Sequence, residues 1–127
     1  MGNIRPVFLV VDDALFMRKV LEENIRALGY TEIYQAEDGN CAVDKAAMLK
    51  PDIITLDISM PELDGISAIK KLREVSPKSK IIMVSALTSQ ITVIEAIKNG
   101  AVDFIAKPVD REVFQKVMNK HVKEIAV

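Results

Sequence analysis

Two hydrophobic patterns alternate along the chain. Short, continuous apolar runs are typical of buried strands, and five occur: Val7–Val11, Ile33–Ala36, Ile53–Leu56, Lys80–Val84 and Asp103–Ala106. Longer stretches with apolar residues three and four positions apart predict amphipathic helices, at about Ala14–Leu28, Asn40–Leu49, Gly65–Ser76, Thr88–Asn99 and Arg111–Lys123. Successive strands begin 20 to 27 residues apart, which is room for one strand and one helix.

Turn and cap residues support these boundaries. Gly29 and Gly100 follow predicted helices, where a left-handed residue commonly ends a helix. Four polar side chains stand at or near predicted helix starts and are candidate N-caps: Asp13, Asn40, Asp64 and Asp110.

Strict alternation of five strands with five helices predicts a parallel sheet with helices on both faces. Right-handed crossovers then favour an α/β, doubly wound (βα)5 sandwich of the flavodoxin-like type, with strand order 2-1-3-4-5. We expect residues 1–127 to form a single domain, because the length suits one core and no linker interrupts the pattern.

Composition narrows the partners. The 127 residues carry 17 basic and 18 acidic side chains, a formal net charge of −1, which disfavours bulk attraction to nucleic acid or anionic membrane. No apolar run is long enough to cross a bilayer. The single cysteine, Cys41, rules out an internal disulfide. We therefore expect a cytoplasmic protein without direct nucleic-acid binding or membrane insertion.

Polar side chains follow four of the predicted strands. Asp12 and Asp13 end the first strand, Asp57 the third, Ser85 the fourth and Lys107 the fifth. These four strands are neighbours in the predicted order, and sites in such sheets form at the carboxyl ends of the strands. The five side chains should therefore converge.

That set suits phosphoryl chemistry. Three close carboxylates repel one another, and an all-oxygen site of this kind suits Mg²⁺. Lys107 can neutralise a phosphoryl oxygen and Ser85 can donate a hydrogen bond to another. A carboxylate can itself be the nucleophile and form an aspartyl phosphate.

The same residues carry a family resemblance that covers essentially the whole chain. It rests on Val10-Val11-Asp12-Asp13, Leu56 to Pro61 with Asp64-Gly65, Val84-Ser85-Ala86, Gly100-Ala101 and Phe104 to Pro108. The chain resembles the receiver domains of two-component response regulators, and most of all the single-domain chemotaxis members.

The resemblance implies a role for each matching residue. Asp57 is the phosphoacceptor, which takes a phosphoryl group from a histidine kinase. Asp12, Asp13 and Asp57 hold Mg²⁺ together with the backbone carbonyl of Ser59. Lys107 binds a phosphoryl oxygen and precedes a cis peptide bond to proline. Ser85 and Phe104 are the switch residues.

The resemblance also implies partners. Phosphorylation reshapes the face formed by the fourth helix, fifth strand and fifth helix, which then controls a downstream target, with the flagellar motor switch as one candidate. A phosphatase is a further candidate partner. We expect a monomer, with dimerisation on phosphorylation as an alternative. Such a protein is a signalling protein and not an enzyme, apart from catalysing its own phosphorylation and dephosphorylation.

Alternatives remain at this point. The chain could be the receiver of a longer regulator with a DNA-binding or enzymatic output. A flavodoxin-like carrier is disfavoured, because Asp12 and Asp13 occupy the position of its phosphate loop. An aspartyl-phosphate phosphatase would need a second acid where Ser59 stands. His121 is expected to be a surface or packing residue and not a ligand.

Overall fold

The structure, a computed structural model, describes residues 5–57, 65–86 and 90–125. Within these residues, five strands alternate with five helices. The strands are β1 (Val7–Val11), β2 (Glu32–Ala36), β3 (Ile53–Leu56), β4 (Lys80–Ser85) and β5 (Ala101–Ala106). The helices are α1 (Leu15–Arg26), α2 (Gly39–Leu49), α3 (Gly65–Val75), α4 (Gln90–Lys98) and α5 (Arg111–Ile125).

All strand pairs are parallel, and the order β2-β1-β3-β4-β5 confirms the predicted doubly wound fold. Alternate residues of each strand serve opposite faces of the sheet. Leu9 and Val11 pack with α2, α3 and α4, whereas Phe8 and Val10 pack with α1 and α5. Because both faces are covered, the central strands are mostly apolar, with Thr55 of β3 as a buried polar exception, which explains the nearly continuous runs in the sequence. Among the described residues, no helix is both long and apolar enough to span a membrane.

Two of the predicted helix caps are wrong. Ala14, and not Asp13, is the N-cap of α1, and no side chain caps that helix. Helix α2 begins one residue early, at Gly39, because the Asp38 carboxylate accepts a hydrogen bond from the Cys41 amide and makes Asp38 the cap. The Asp110 carboxylate accepts from the Glu112 amide as a cap should. Asp64 lies outside the described residues.

Most element boundaries agree with the pattern to within two residues. Helix α1 ends at Arg26 instead of Leu28, and β5 begins at Ala101 instead of Asp103. Gly29 and Gly100 have positive φ angles of 99° and 121°, which confirms them as left-handed positions after helices.

A β-bulge in β5 determines which face each of its side chains serves. Ile81 pairs with Ala101 but Ile82 pairs with Asp103, so Val102 is an extra residue. The extra residue shifts the alternation of side chains between the two faces of the sheet by one position. Ala101 and Phe104 pack on the α2–α3–α4 side, whereas Ile105 packs against α5.

Candidate functional site

The backbone brings the predicted site residues to one edge of the sheet. Hydrogen bonds continue the sheet beyond the strand ends: the Asp57 amide donates to the Val11 carbonyl at 3.1 Å, and the Lys107 amide donates to the Ser85 carbonyl at 3.0 Å. The Asp12 amide likewise donates to Ala36 of β2 at 3.2 Å. Each side chain therefore starts from a fixed backbone position at the carboxyl edge.

Lys107 connects the carboxylates that follow two different strands. Its Nζ lies 2.6 Å from Asp12 Oδ2 and 2.9 Å from Asp57 Oδ2. Burial alone would lower the pKa of Lys107, but the hydrogen bonds to Asp12 and Asp57 outweigh that effect and raise the pKa above its ordinary value. The ammonium group therefore remains charged at neutral pH.

The two carboxylates that contact Lys107 form a cluster with a third, that of Asp13. Asp12 and Asp57 are 1% and 3% exposed, Asp13 is exposed, and one ligand oxygen from each lies within 4.8 Å of the others. Three carboxylates lie close together and Lys107 pairs with two of them, so the cluster carries an excess of negative charge. Carboxylate oxygens at this spacing fit a hard divalent cation such as Mg²⁺.

Asp12 holds the loop between β1 and α1 as well as the lysine. Its Oδ1 accepts a hydrogen bond from the Ala14 amide at 2.9 Å, while Oδ2 accepts from Lys107. The Asp12 carboxylate thus satisfies the amide of Ala14, the residue just before α1. The Ala14 side chain itself offers no cap to the helix.

The two predicted switch residues lie on adjacent strands. Ser85 is fully buried at the end of β4. Phe104 pairs with Met83 in the β4–β5 register, and its half-buried ring packs on the α2–α3–α4 side. The Lys107–Pro108 peptide bond is cis, as the resemblance implied. Ser59 lies outside the described residues.

Two polar contacts have no counterpart among the predictions from the sequence, one at this edge and one on α5. Arg18 Nη1 donates to the backbone carbonyl of Asp12 at 2.7 Å. His121 is buried, as a packing residue would be, and both of its ring nitrogens face carboxylates: Asp103 at 2.9 Å and Glu124 at 3.0 Å. The Arg18–Asp12 and His121–Asp103 contacts leave no pattern in the sequence, because the tertiary structure brings their residues together. His121 and Glu124, by contrast, lie three residues apart on α5, a spacing that the sequence does show.

The family model of the response regulator receiver domain matches residues 8–119. The chain belongs to this family. The receiver domain is 49% identical over 112 residues to the chemotaxis protein CheY of Thermotoga maritima, which covers 88% of this chain and 93% of that protein. It is 42% identical over 112 residues to CheY of Bacillus subtilis, with the same coverage.

Longer proteins and solved structures show the same domain. A protein-glutamate methylesterase/protein-glutamine glutaminase of Thermotoga maritima is 48% identical over 108 residues, which cover 79% of this chain and 30% of that protein. The crystal structure of the response regulator domain of Thermotoga maritima CheB superposes on this receiver domain with a TM-score of 0.82 at 41% identity, covering 98% of each chain. The chain is therefore a receiver domain of a two-component response regulator, close to CheY.

Proposed function

We propose that this receiver domain is a phosphoacceptor switch in which Asp57 takes a phosphoryl group from a phosphohistidine of a histidine kinase. An oxygen of the Asp57 carboxylate forms the new P–O bond, the P–N bond breaks, and its electron pair stays on the imidazole nitrogen. The observation that carries the proposal is the position of Lys107, whose ammonium group contacts both Asp12 and Asp57. A cation so placed can neutralise charge that arrives on Asp57.

Three carboxylates would hold the metal. Asp12, Asp13 and Asp57, with the backbone carbonyl of Ser59, form the proposed Mg²⁺ site, and the donor chemistry of the described carboxylates supports it. Bound Mg²⁺ offsets negative charge on the carboxylates and on phosphoryl oxygens.

The remaining site residues convert phosphorylation into a change of surface. Lys107 contacts one phosphoryl oxygen, and the Ser85 hydroxyl moves toward another. Phe104 follows behind Ser85, since both lie at the β4–β5 end of the sheet, and the face of α4, β5 and α5 changes shape. Apart from its own phosphorylation and dephosphorylation, the domain performs no catalysis.

Similarity to CheY proteins over most of their length supports a chemotaxis output. In that setting the domain is cytoplasmic, its target is a downstream protein such as the flagellar motor switch, and a phosphatase can reset it. It acts as a monomer or dimerises on phosphorylation.

A second candidate function is that of a receiver domain with an attached output domain, either enzymatic or DNA-binding. The match to a methylesterase of which it covers 30% favours the enzymatic form.

Labelling with acetyl phosphate tests the phosphoacceptor directly. With Mg²⁺ present, intact-mass spectrometry should show one added phosphoryl group on the wild type, none on Asp57→Asn, and one on Asp44→Asn. The last variant removes the same charge from an exposed position on α2. A label that persists on Asp57→Asn would show that another residue is the nucleophile.

A pull-down with and without beryllofluoride, which mimics an aspartyl phosphate, tests the output. A target captured only with beryllofluoride supports the switch. Equal capture in both conditions contradicts it.

A further inference from the structure

The guanidinium group of Arg18 connects β1 to β2 at the edge where the acidic cluster lies. Nη1 donates to the Asp12 carbonyl at 2.7 Å, and Nε donates to the Gln35 side-chain oxygen at 3.0 Å. Arg18 is half-buried on the first turns of α1. A planar guanidinium that makes two bonds in different directions has little freedom to rotate.

Gln35 is itself held from two sides. Its Nε2 donates to Glu22 Oε1 at 2.7 Å, and its backbone carbonyl accepts from Lys45 of α2. The hydrogen bond from Gln35 is the main influence that lowers the pKa of Glu22, partly opposed by burial and aided by Arg26, so this acceptor remains ionised near neutral pH. Lys45, Gln35 and Arg18 also border a cavity of about 240 Å³. Hydrogen bonds, more than close packing, therefore set the direction of the Arg18 side chain.

The contact with the Asp12 carbonyl acts on Asp13. The carbonyl of Asp12 and the amide of Asp13 belong to one planar peptide unit, so fixing the carbonyl oxygen fixes the orientation of the Asp13 amide and Cα. Asp12 is already held by its own amide and by both carboxylate oxygens. The Asp13 side chain is exposed and has no hydrogen bond or ion pair to any residue that the structure describes. Its place in the acidic cluster depends on its backbone.

We infer that Arg18 is a positioning residue that orients Asp13 toward the divalent cation through the Asp12–Asp13 peptide. The inference rests on the proposed function for its metal, but the orientation of the peptide can be measured without any metal.

The sign of the effect on metal binding separates positioning from simple charge. Arg18 is a cation near a cation site, so removing its charge alone would leave Mg²⁺ affinity unchanged or raise it. Loss of positioning lowers the affinity. A neutral variant that binds Mg²⁺ more weakly therefore reports geometry and not Coulomb repulsion.

The test compares three variants with the wild type. Arg18→Met removes both hydrogen bonds, Arg18→Lys can keep one bond to the Asp12 carbonyl, and Lys19→Met removes a neighbouring exposed charge from the same helix. Isothermal titration calorimetry with MgCl₂ gives the affinity. Backbone ¹⁵N relaxation in EDTA gives the order parameter of the Asp13 amide, and thermal melts give stability.

We expect Arg18→Met to weaken Mg²⁺ binding about 3- to 10-fold, the range set by the loss of one ordinary hydrogen bond, the one to the Asp12 carbonyl. The order parameter of its Asp13 amide should fall from about 0.85 toward about 0.6. Arg18→Lys should recover part of both effects, and Lys19→Met should show neither. If Arg18 had only a structural role, Arg18→Met would lower the melting temperature without lowering the order parameter of the Asp13 amide more than those of other amides.

Two outcomes would overturn the inference. One is Mg²⁺ binding by Arg18→Met as tight as by Lys19→Met. The other is an Asp13 amide equally ordered in both variants. If the wild type itself binds no Mg²⁺, the proposed metal role fails, and the relaxation data still decide whether Arg18 orients the peptide.

Discussion

Replacing Asp57 by asparagine should make the metal-free protein more stable, although it destroys the proposed phosphoacceptor. The Asp57 carboxylate lies 2.9 Å from Lys107 Nζ and has carboxylate oxygens of Asp12 and Asp13 within 4.8 Å. At an effective dielectric constant of about 20, the attraction is about 6 kcal/mol and the two repulsions together about 7 kcal/mol. The neutral amide also avoids part of the desolvation cost of a buried charge. We expect a gain in the free energy of unfolding of about 1–3 kcal/mol.

Mg²⁺ should narrow or reverse the difference in unfolding free energy between Asp57→Asn and the wild type. A ligand that binds only the folded state stabilises it by about 1.4 kcal/mol at ten times its dissociation constant. The wild type should gain that amount, and Asp57→Asn, which lacks one carboxylate ligand, should gain less. Urea unfolding followed by far-UV circular dichroism, in EDTA and in MgCl₂, measures both effects in a chain that has no tryptophan.

The control is Asp44→Asn, which changes the net charge equally at an exposed site of α2. It should change the unfolding free energy by no more than about 0.5 kcal/mol in either buffer. If Asp57→Asn is less stable than the wild type in EDTA, repulsion does not dominate at this edge and the electrostatic reasoning is wrong.

Three further changes follow from the same contacts. Lys107→Met leaves buried carboxylates without their ammonium partner and should lower the unfolding free energy by about 3–5 kcal/mol at pH 7. Because the pKa of Lys107 is raised by folding, its contribution is complete below the ordinary lysine pKa and is lost as pH rises through the folded-state pKa. In urea unfolding at increasing pH, Lys107→Met should lack this loss of stability at alkaline pH. If the variant and the wild type lose stability identically as pH rises, Lys107 is not the group responsible. His121→Leu removes two hydrogen bonds to carboxylates from a buried ring and should cost about 1–3 kcal/mol in the same assay, whereas no loss would mean that neither bond stabilises the fold. Gly29→Ala meets no atom within 4 Å, so its expected cost of about 1 kcal/mol is strain at a φ of +99°, and an unchanged thermal midpoint would refute it.

The strand ends were predictable because they depend on two simple regularities. Apolar runs locate the buried strands, and parallel strands present their carboxyl ends at one edge. These regularities alone predict that Asp12, Asp13, Asp57 and Lys107 lie together. In the structure Lys107 contacts Asp12 and Asp57, and the three carboxylates lie within a few ångströms of one another.

The helix starts were less predictable because several polar residues compete at each one. Asp13 and Asn40 are suitable cap residues by type, but the structure uses Asp38 for α2 and no side-chain cap for α1. Before α1, the Asp12 carboxylate accepts from the Ala14 amide and from Lys107, so one local bond and one tertiary bond hold it.

The bulge at Val102 is a feature that only the tertiary structure decided. Nothing in the alternation of β5 shows that one residue is unpaired, yet the shift places Phe104 on the same face of the sheet as Ala101, three residues earlier, and so puts Ile105 on the α5 side. It also turns Asp103 toward His121 of α5. Register depends on how two strands meet and not on either strand alone.

The sequence by itself determined the order of the elements, the fold class and the residues that stand at the strand ends, because hydrophobic periodicity and chain direction are local properties. The tertiary structure decided that Lys107 lies between Asp12 and Asp57, that Arg18 holds the peptide before Asp13, and which face Phe104 serves. These are contacts between separate segments, and their geometry exists only after the helices have packed on the twisted sheet.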